Sequence, residues 1–246
     1  MRIIGVIPAR YQSSRFEGKP LAPILGKPMV WWVHYQVKQT KGLDEVYVAT
    51  DDERIMKVCE EYGIKVVMTS DKHKTHIDRL YEFSKKVDAD FYVNVNGDEP
   101  LIEPEAIEKI VPDHNDSEGL YVYNLMTEIK NPLEVADTSK IKIATDVNGY
   151  ALYMARYPIP FPKGTYDFTY NKFVGVQCFT KSALEFAHTT PRGLIESAED
   201  IDEYRFLENG QRIKFIKVDV TTLSVDTPKD LIKAENMIKE RICHDV

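Results

Sequence analysis

Two carboxylates far apart in the chain, Asp98 and Asp226, and a basic loop after the first apolar run are the parts of this sequence that could act on a phosphorylated substrate. The loop Pro8-Ala-Arg-Tyr-Gln-Ser-Ser-Arg-Phe-Glu-Gly-Lys-Pro20, with Lys27 just beyond it, sets Arg10, Arg15, Lys19 and Lys27 against Glu17. Arginine and lysine there are charge-assisted donors, and such a loop can hold a triphosphate or remain a solvated basic turn. Gly18 and Gly26 are the glycines of this stretch, so it is neither a Walker loop nor a GxGxxG turn, and a dehydrogenase reading lacks its usual support. In Asn96-Gly-Asp-Glu-Pro100, Asp98 stands beside a glycine where a polyphosphate can approach closely. Magnesium takes oxygen ligands, commonly one or two carboxylates plus phosphate oxygens. A turn requires the same residue types, so a second carboxylate matters. Ser224-Val-Asp-Thr-Pro228 offers Asp226, left free if Thr227 caps the following helix.

Rival chemistries find less support. Glu196, Glu199, Asp200, Asp202 and Glu203 read as a solvated helix face, with Ala198 and Ile201 turned inward. His73 and His76 are three apart, but no other His/Cys pair has zinc spacing. An α/β-hydrolase is excluded by the lack of a GxSxG elbow.

The elements that must position these residues alternate. Ile3–Ala9, Val46–Thr50, Lys65–Thr69 and Phe91–Val95 are short, apolar and β-branched and read as buried strands. Met29, Val33 and Val37, then Ile55, Cys59 and Tyr62, then Leu80, Phe83 and Val87, mark helices between them. The alternation predicts an α/β fold, a three-layer mainly parallel sheet with right-handed crossovers. Ligands of such sheets bind beyond the carboxyl ends of the strands, where Arg10, Thr50–Asp52, Ser70–Arg79 and Asn96–Pro100 fall. Tyr150–Met154 and Phe173–Phe179 are further strands, and the Pro- and Tyr-rich Tyr157–Tyr170 between them suits an arm or subunit contact. Thr227, Pro228 and Asp230 start a last helix carrying Leu231, Ala234, Ile238 and Ile242. One domain over 1–246 is expected, with an extension at 150–175.

With 32 Lys+Arg against 39 Asp+Glu, the net charge of −7 gives no footprint for nucleic acid. No apolar run approaches the roughly 20 residues of a membrane helix. Cys59, Cys178 and Cys243 have no disulfide or metal spacing. A cytoplasmic protein without membrane or nucleic-acid partners is expected.

Taken in order, Ile4-Gly-Val-Ile-Pro-Ala-Arg10, Gly18-Lys-Pro-Leu21, Gly26-Lys-Pro28, Ala49-Thr-Asp-Asp52, Asp78-Arg79, Asn94-Val-Asn-Gly-Asp-Glu-Pro100, Ala151-Leu-Tyr-Met-Ala-Arg-Tyr-Pro-Ile-Pro160 and Val225-Asp-Thr-Pro-Lys-Asp-Leu231 resemble the 3-deoxy-manno-octulosonate (Kdo) cytidylyltransferases across nearly the whole chain. The resemblance implies a Rossmann-like, nucleotide-diphospho-sugar transferase-like fold. It also implies magnesium-dependent transfer of CMP from CTP to a small sugar acid, release of pyrophosphate, and a homodimer. On that analogy 1–149 is the nucleotide-binding half, 150–175 the dimer arm, and 176–246 completes the acceptor and metal site. Arg10 and Lys19 hold the triphosphate, with Arg15 in the same loop, and Asp98 and Asp226 hold magnesium. Asp78 and Arg79 lie on the nucleotide side, Asn96 replaces a family Gln near the base, and Arg156 faces the acceptor or the transferred phosphate.

Departures cluster on the sugar-acid side. The family's Ser-Gly-Thr/Ser-Asp-Arg is Thr75-His-Ile-Asp-Arg79 here, and its His-hydrophobic-Gly-Ile-Tyr is Phe173-Val-Gly-Val-Gln177. A family Glu is Asp202, and the Gln-Leu after it is Glu203-Tyr204. A site built to hydrogen-bond substrate hydroxyls discriminates strongly, so these changes imply an altered acceptor pocket. Phe173 and Ile77 are expected to make it smaller or less polar. The alternatives are CMP transfer to another ulosonic acid or a small phosphonate, and a non-catalytic nucleotide-binding dimer.

Overall fold

The computed structural model describes residues 1–13, 15–112, 119–164, 167–220 and 223–244. In chain order the elements are β1 (Ile3–Ala9), a 3-10 turn (Lys19–Leu21), β2 (Pro23–Ile24), β3 (Lys27–Pro28), α1 (Met29–Val37), β4 (Glu45–Thr50), α2 (Glu53–Glu61), β5 (Val66–Met68), α3 (His76–Lys86), β6 (Phe91–Val95) and α4 (Pro104–Glu108). There follow β7 (Val122–Glu128), a second 3-10 turn (Pro132–Val135), β8 (Lys142–Thr145), β9 (Ala151–Ala155), β10 (Asn171–Thr180), α5 (Lys181–Thr189), α6 (Leu194–Glu199), α7 (Tyr204–Leu207), β11 (Lys214–Val218) and α8 (Pro228–His244).

The main sheet runs β11-β7-β10-β6-β1-β4-β5, with β8 and β9 added beside β10. β1 pairs parallel with both β4 and β6, and β4 parallel with β5, whereas β10 is antiparallel to β6 and β7. The expected mainly parallel sheet is thus present, with β10 running against it. β1 is apolar at nearly every position because both of its faces are covered. Ile3 and Ile7 pack with Val30, Val33 and Val37 of α1 and with Ile55 and Cys59 of α2. Ile4 and Val6 pack on the other face with Leu80 and Phe83 of α3 and Ala183 and Leu184 of α5.

The chain fills one side of β1 with β4 and β5 and then crosses to the other side with β6. A crevice opens at such a reversal, beyond the strand ends. Gly97 closes its floor: a Cβ there would lie 2.6 Å from the Pro8 carbonyl oxygen, so only glycine lets the ends of β1 and β6 meet. Gly175 plays the same part for β10, since its missing Cβ leaves room for the Asn96 side chain and the Asn96 N–H donates to its carbonyl at 2.8 Å. The start of α8 is fastened to this floor. Val225 N–H donates to the Asp98 carbonyl at 2.8 Å, and Thr227 and Asp230 cap one another reciprocally. Val225, Ala234 and Ile238 bury against Ile24, Met29 and Leu101. The side chain of Ile242 lies outside the described residues.

Three expectations are corrected. Tyr62 sits one residue past α2, and instead of joining its apolar stripe it is exposed with Lys27 over its ring. The acidic run is not a solvated face: Glu196 and Glu203 are buried and Ala198 is exposed, because α6 turns Glu196 toward Arg205. Ile77 is fully buried between α3 and the sheet, so it does not narrow any pocket.

Replacing Gly97 with Ala forces β1 and β6 apart, and overpacking of that kind costs about 1–3 kcal/mol. Gly164 has open space where its Cβ would be. Urea unfolding should show that loss for Gly97→Ala and a change within about 0.5 kcal/mol for Gly164→Ala.

Candidate active site

The crevice is a cavity of about 430 Å³ above the ends of β1, β6 and β10. One end is cationic. Arg10 follows β1 directly and is exposed on the cavity wall, with no ion pair among the described residues. Lys19, on the short 3-10 turn, sends its Nζ to Asp98 Oδ2 at 2.8 Å and to Asp226 Oδ1 at 3.7 Å. Arg15 reaches the same Asp226 oxygen at 3.0 Å. Segments more than a hundred residues apart thus deliver two carboxylates to one ammonium. A cation with oxygen ligands suits that place. Among the described residues no group of three or more His, Cys, Asp or Glu forms a metal cage, so a cation held there by the two aspartates would need further oxygen ligands from elsewhere.

Glu99, which sequence reasoning passed over in favour of its neighbour Asp98, also lines this end. It is 3% exposed; one oxygen accepts from the Ser224 hydroxyl, and Oε2 has no partner. Burial pushes its carboxyl up to about 7, and the Asp98 charge adds to the rise. Lys140, just ahead of β8, lines the cavity too and carried no periodic or motif signal.

The opposite end is acidic. His76, the first residue of α3, places Nδ1 3.0 Å from Asp202 and Nε2 3.9 Å from Glu203. Gln177 Nε2 donates to Glu203 at 3.1 Å, and its carbonyl oxygen accepts from Asn94, which also donates to Asn96 at 3.0 Å. A polar chain therefore runs from Asn96 to Asp202 across the cavity floor. Burial lowers the His76 pKa, but Asp202 and Glu203 outweigh it and leave the imidazole above its ordinary value. Burial raises Glu203, whereas Asp202 is held below the usual carboxylate range despite burial, by its contact with His76.

Of the residues singled out from sequence, Arg10, Arg15, Lys19, Arg79, Asn96, Asp98, Phe173, Gln177, Asp202 and Asp226 line this one cavity. Arg79 is buried and committed, donating to Asp51 at 2.6 Å and to Thr69 at 2.5 Å. Asp78 and Arg156 are not on the wall. Asp78 packs behind it, bonded to Thr75 and near Arg205. Arg156 spends its guanidinium on the carbonyls of Glu199, Asp200 and Thr138, which fixes the loop that leads into Asp202.

A family model described as Cytidylyltransferase matches residues 4–213. The chain is 41% identical over 242 residues to an 8-amino-3,8-dideoxy-manno-octulosonate cytidylyltransferase of Shewanella sp. (strain W3-18-1), covering 97% of this chain and 99% of that one. It is 40% identical over 253 residues to a 3-deoxy-manno-octulosonate cytidylyltransferase of Geotalea daltonii, with 98% and 100% covered. A solved CMP:2-keto-3-deoxy-manno-octonic acid synthetase complexed with CTP superposes with a TM-score of 0.92 at 36% identity, over 98% of this chain and 100% of that one. The chain belongs to the cytidylyltransferase family.

The raised Glu99 carboxyl has a consequence for stability. Its folded pKa of about 7 lies above the ordinary 4.5, so between those values the folded state binds more protons than the unfolded one. Stability therefore falls as pH rises through that window, by a Glu99 contribution on the order of 2–3 kcal/mol. Urea unfolding of metal-free protein at pH 5 and pH 8 should show this decline in the wild type, and Glu99→Gln should flatten it.

Proposed function

We propose that this member of the cytidylyltransferase family transfers CMP from CTP to a ulosonic acid and releases pyrophosphate. The observation that carries the reading is the junction at Lys19, where one ammonium spans Asp98 and Asp226 in the cavity that Arg10, without an ion pair among the described residues, also lines. Its relatives that act on 3-deoxy-manno-octulosonate or its 8-amino form support the acceptor class, and a structural neighbour carries CTP.

The residues divide the work by charge. Arg10, Arg15 and Lys19 bind the triphosphate, whose charge draws Lys19 and Arg15 away from the two aspartates. Asp98 and Asp226 are then left to hold a divalent cation, magnesium by its preference for carboxylate and phosphate oxygens. Held there, such an ion would supply charge neutralisation at the phosphates and favour loss of the attacking hydroxyl's proton. The anomeric hydroxyl of the acceptor attacks the α-phosphorus in line. A new P–O bond forms, the bridging bond to the β-phosphate breaks with its electron pair leaving on pyrophosphate, and the hydroxyl proton passes to solvent water. Such transfer rests on positioning and electrostatic stabilisation rather than covalent catalysis, and no histidine is required as base. Asn96, at the end of β6, joins the nucleotide-side wall to the polar chain of the floor.

In this reading residues 1–149 bind nucleotide, while 176–246 supply Asp202 and Asp226 to the acceptor and metal side. The 150–175 arm carries the homodimer contact. Leu152, Tyr157 and Phe161 are 66%, 76% and 84% exposed there, an apolar display consistent with a second copy. Residues 165–166 of the arm lie outside the described residues. Among the described residues no helix is long and apolar enough to cross a membrane.

Pyrophosphate release from CTP and a ulosonic acid should require magnesium and stop on chelation. Asp98→Asn and Asp226→Asn should each lower kcat by about 100- to 1,000-fold, the usual range for one lost electrostatic stabiliser of a transition state. Absence of release with any ulosonic acid or small phosphonate, in a protein that binds CTP by calorimetry, would favour a nucleotide-binding scaffold instead.

A further inference from the structure

The cavity is electrically polar, and its acidic end is not balanced by the protein. Within ion-pairing distance among the described residues, Asp202 and Glu203 have His76 alone. The neighbouring cations are engaged elsewhere: Arg205 with Glu196 at 2.6 Å and Asp78 at 3.4 Å, Arg192 with Glu196 at 2.9 Å and Asp200 at 3.2 Å. His188 lies 3.9 Å from Asp78. Lys74 lines the cavity without an ion pair among the described residues. Ionised together, the two carboxylates carry one negative charge more than a protonated imidazole matches, and burial pushes Glu203 toward holding a proton when no further cation is present. Glu203 is 3% exposed, and an ionised carboxyl in so dry a wall requires a partner of opposite charge. Gln177 gives it one neutral hydrogen bond, which does not neutralise it.

The chemistry of the acceptor matches this polarity. In a 2-keto sugar acid the attacking anomeric hydroxyl and the carboxylate share one carbon, so the anionic end of the acceptor must lie at the α-phosphate, near Arg10 and Lys19. An acceptor so placed would extend its far carbons along the floor, toward the end of the cavity lined by His76, Asp202 and Glu203. Toward a hydroxyl, a carboxylate at position 203, where the resembling family has an amide, gives up the amide's N–H donor and can only accept. Toward an ammonium it gains a charge-assisted hydrogen bond.

We propose that Asp202 and Glu203 recognise a protonated amino group on the distal part of the acceptor, so that the preferred substrate is an amino-substituted, zwitterionic ulosonic acid. This rests on the cytidylyl-transfer reading. His76 sets the spacing of the two carboxylates, and Gln177 orients Glu203 from the floor.

The test compares 3-deoxy-manno-octulosonate with its 8-amino-3,8-dideoxy counterpart, by steady-state pyrophosphate release with saturating CTP and magnesium. Wild type should favour the amino acid by about tenfold or more in kcat/KM, the worth of one charged hydrogen bond. Glu203→Gln should lower kcat/KM for the amino acid by about 10- to 100-fold, chiefly through KM, and raise it for the hydroxyl acid. Asp202→Asn, a second variant should Glu203→Gln fail to fold, should narrow the preference in the same direction. Equal or better wild-type turnover of the hydroxyl acid would overturn the inference and leave cytidylyl transfer standing. A Glu203→Gln protein that binds CTP normally and slows both acceptors equally would also overturn it. Release of pyrophosphate with neither of these two acceptors would overturn this inference, and only silence with other ulosonic acids and small phosphonates as well would overturn the transfer reading.

Discussion

The contact between the ends of β1 and β6 is the constraint on which the site depends. Pro8 and Gly97 meet so closely that no side chain fits between them. That contact brings Arg10, the residue after β1, and Asp98, one residue beyond Gly97, to the same opening. The basic loop then has only to fold back over its own strand for Lys19 to reach Asp98. Gly18 makes the fold-back possible: it lies in the left-handed region at φ 67°, and its N–H closes onto the Tyr11 carbonyl at 2.9 Å. The second carboxylate arrives through the backbone. The Val225 N–H on the Asp98 carbonyl holds the start of α8 in register, so Asp226 is placed by a main-chain bond rather than by its own side chain.

Charge placement follows from burial. At the cationic end the groups are part-exposed and exchangeable, and Lys19 and Arg15 hold the aspartates by contacts that a triphosphate and a cation can replace. Exposed pairs of this kind are worth little in stability, about 0–1 kcal/mol, which suits a site that must open to its substrate. At the acidic end the arrangement is fixed. Arg205 is buried against buried Glu196, and its other nitrogen donates to the Ala187 carbonyl at 2.9 Å. Removing either partner would strand a buried charge at a cost of about 3–5 kcal/mol. The loop carrying Asp202 and Glu203 is thus clamped from behind by Arg205 and from the side by Arg156, and the carboxylates themselves are left to the cavity.

How much of this was legible from the chain depended on the range of the interaction. The alternation of β-branched runs and helical stripes is local, and it fixed β1, β4, β5 and β6 and the edge where ligands collect. Asp98 and Asp226 were legible because each sits in a short segment whose glycine or capping threonine explains every other residue and leaves the carboxylate over. Burial of acids was not legible. Five acids in eight residues look solvated from composition, and only Arg205 and the turn after α6 decide that Glu196 and Glu203 face inward. Arg156 failed for the opposite reason. It stands in a motif that points to substrate, yet three backbone carbonyls take its guanidinium. Glu99 was hidden by its neighbour, since one acid after a glycine already accounted for the turn.

Three of the departures on the acceptor side, His76, Gln177 and Glu203, form one physical unit. Glu203 in a dry wall needs a donor, and Gln177 supplies one where a tyrosine hydroxyl stands in the resembling family. Gln177 in turn needs an acceptor partner for its other end, and Asn94 of β6 donates to it there. His76 takes up the space that a glycine leaves open, and its ring is useful only because carboxylates lie on both of its nitrogens. Reverting His76 to glycine alone takes from Asp202 and Glu203 the one ion partner they have among the described residues, at about 1–3 kcal/mol. Drift at a slack pocket would scatter substitutions whose costs are independent. Three replacements that satisfy one another's hydrogen bonds are instead coupled, and coupled changes confined to the acceptor end, with the cationic end intact, are what a change of acceptor requires.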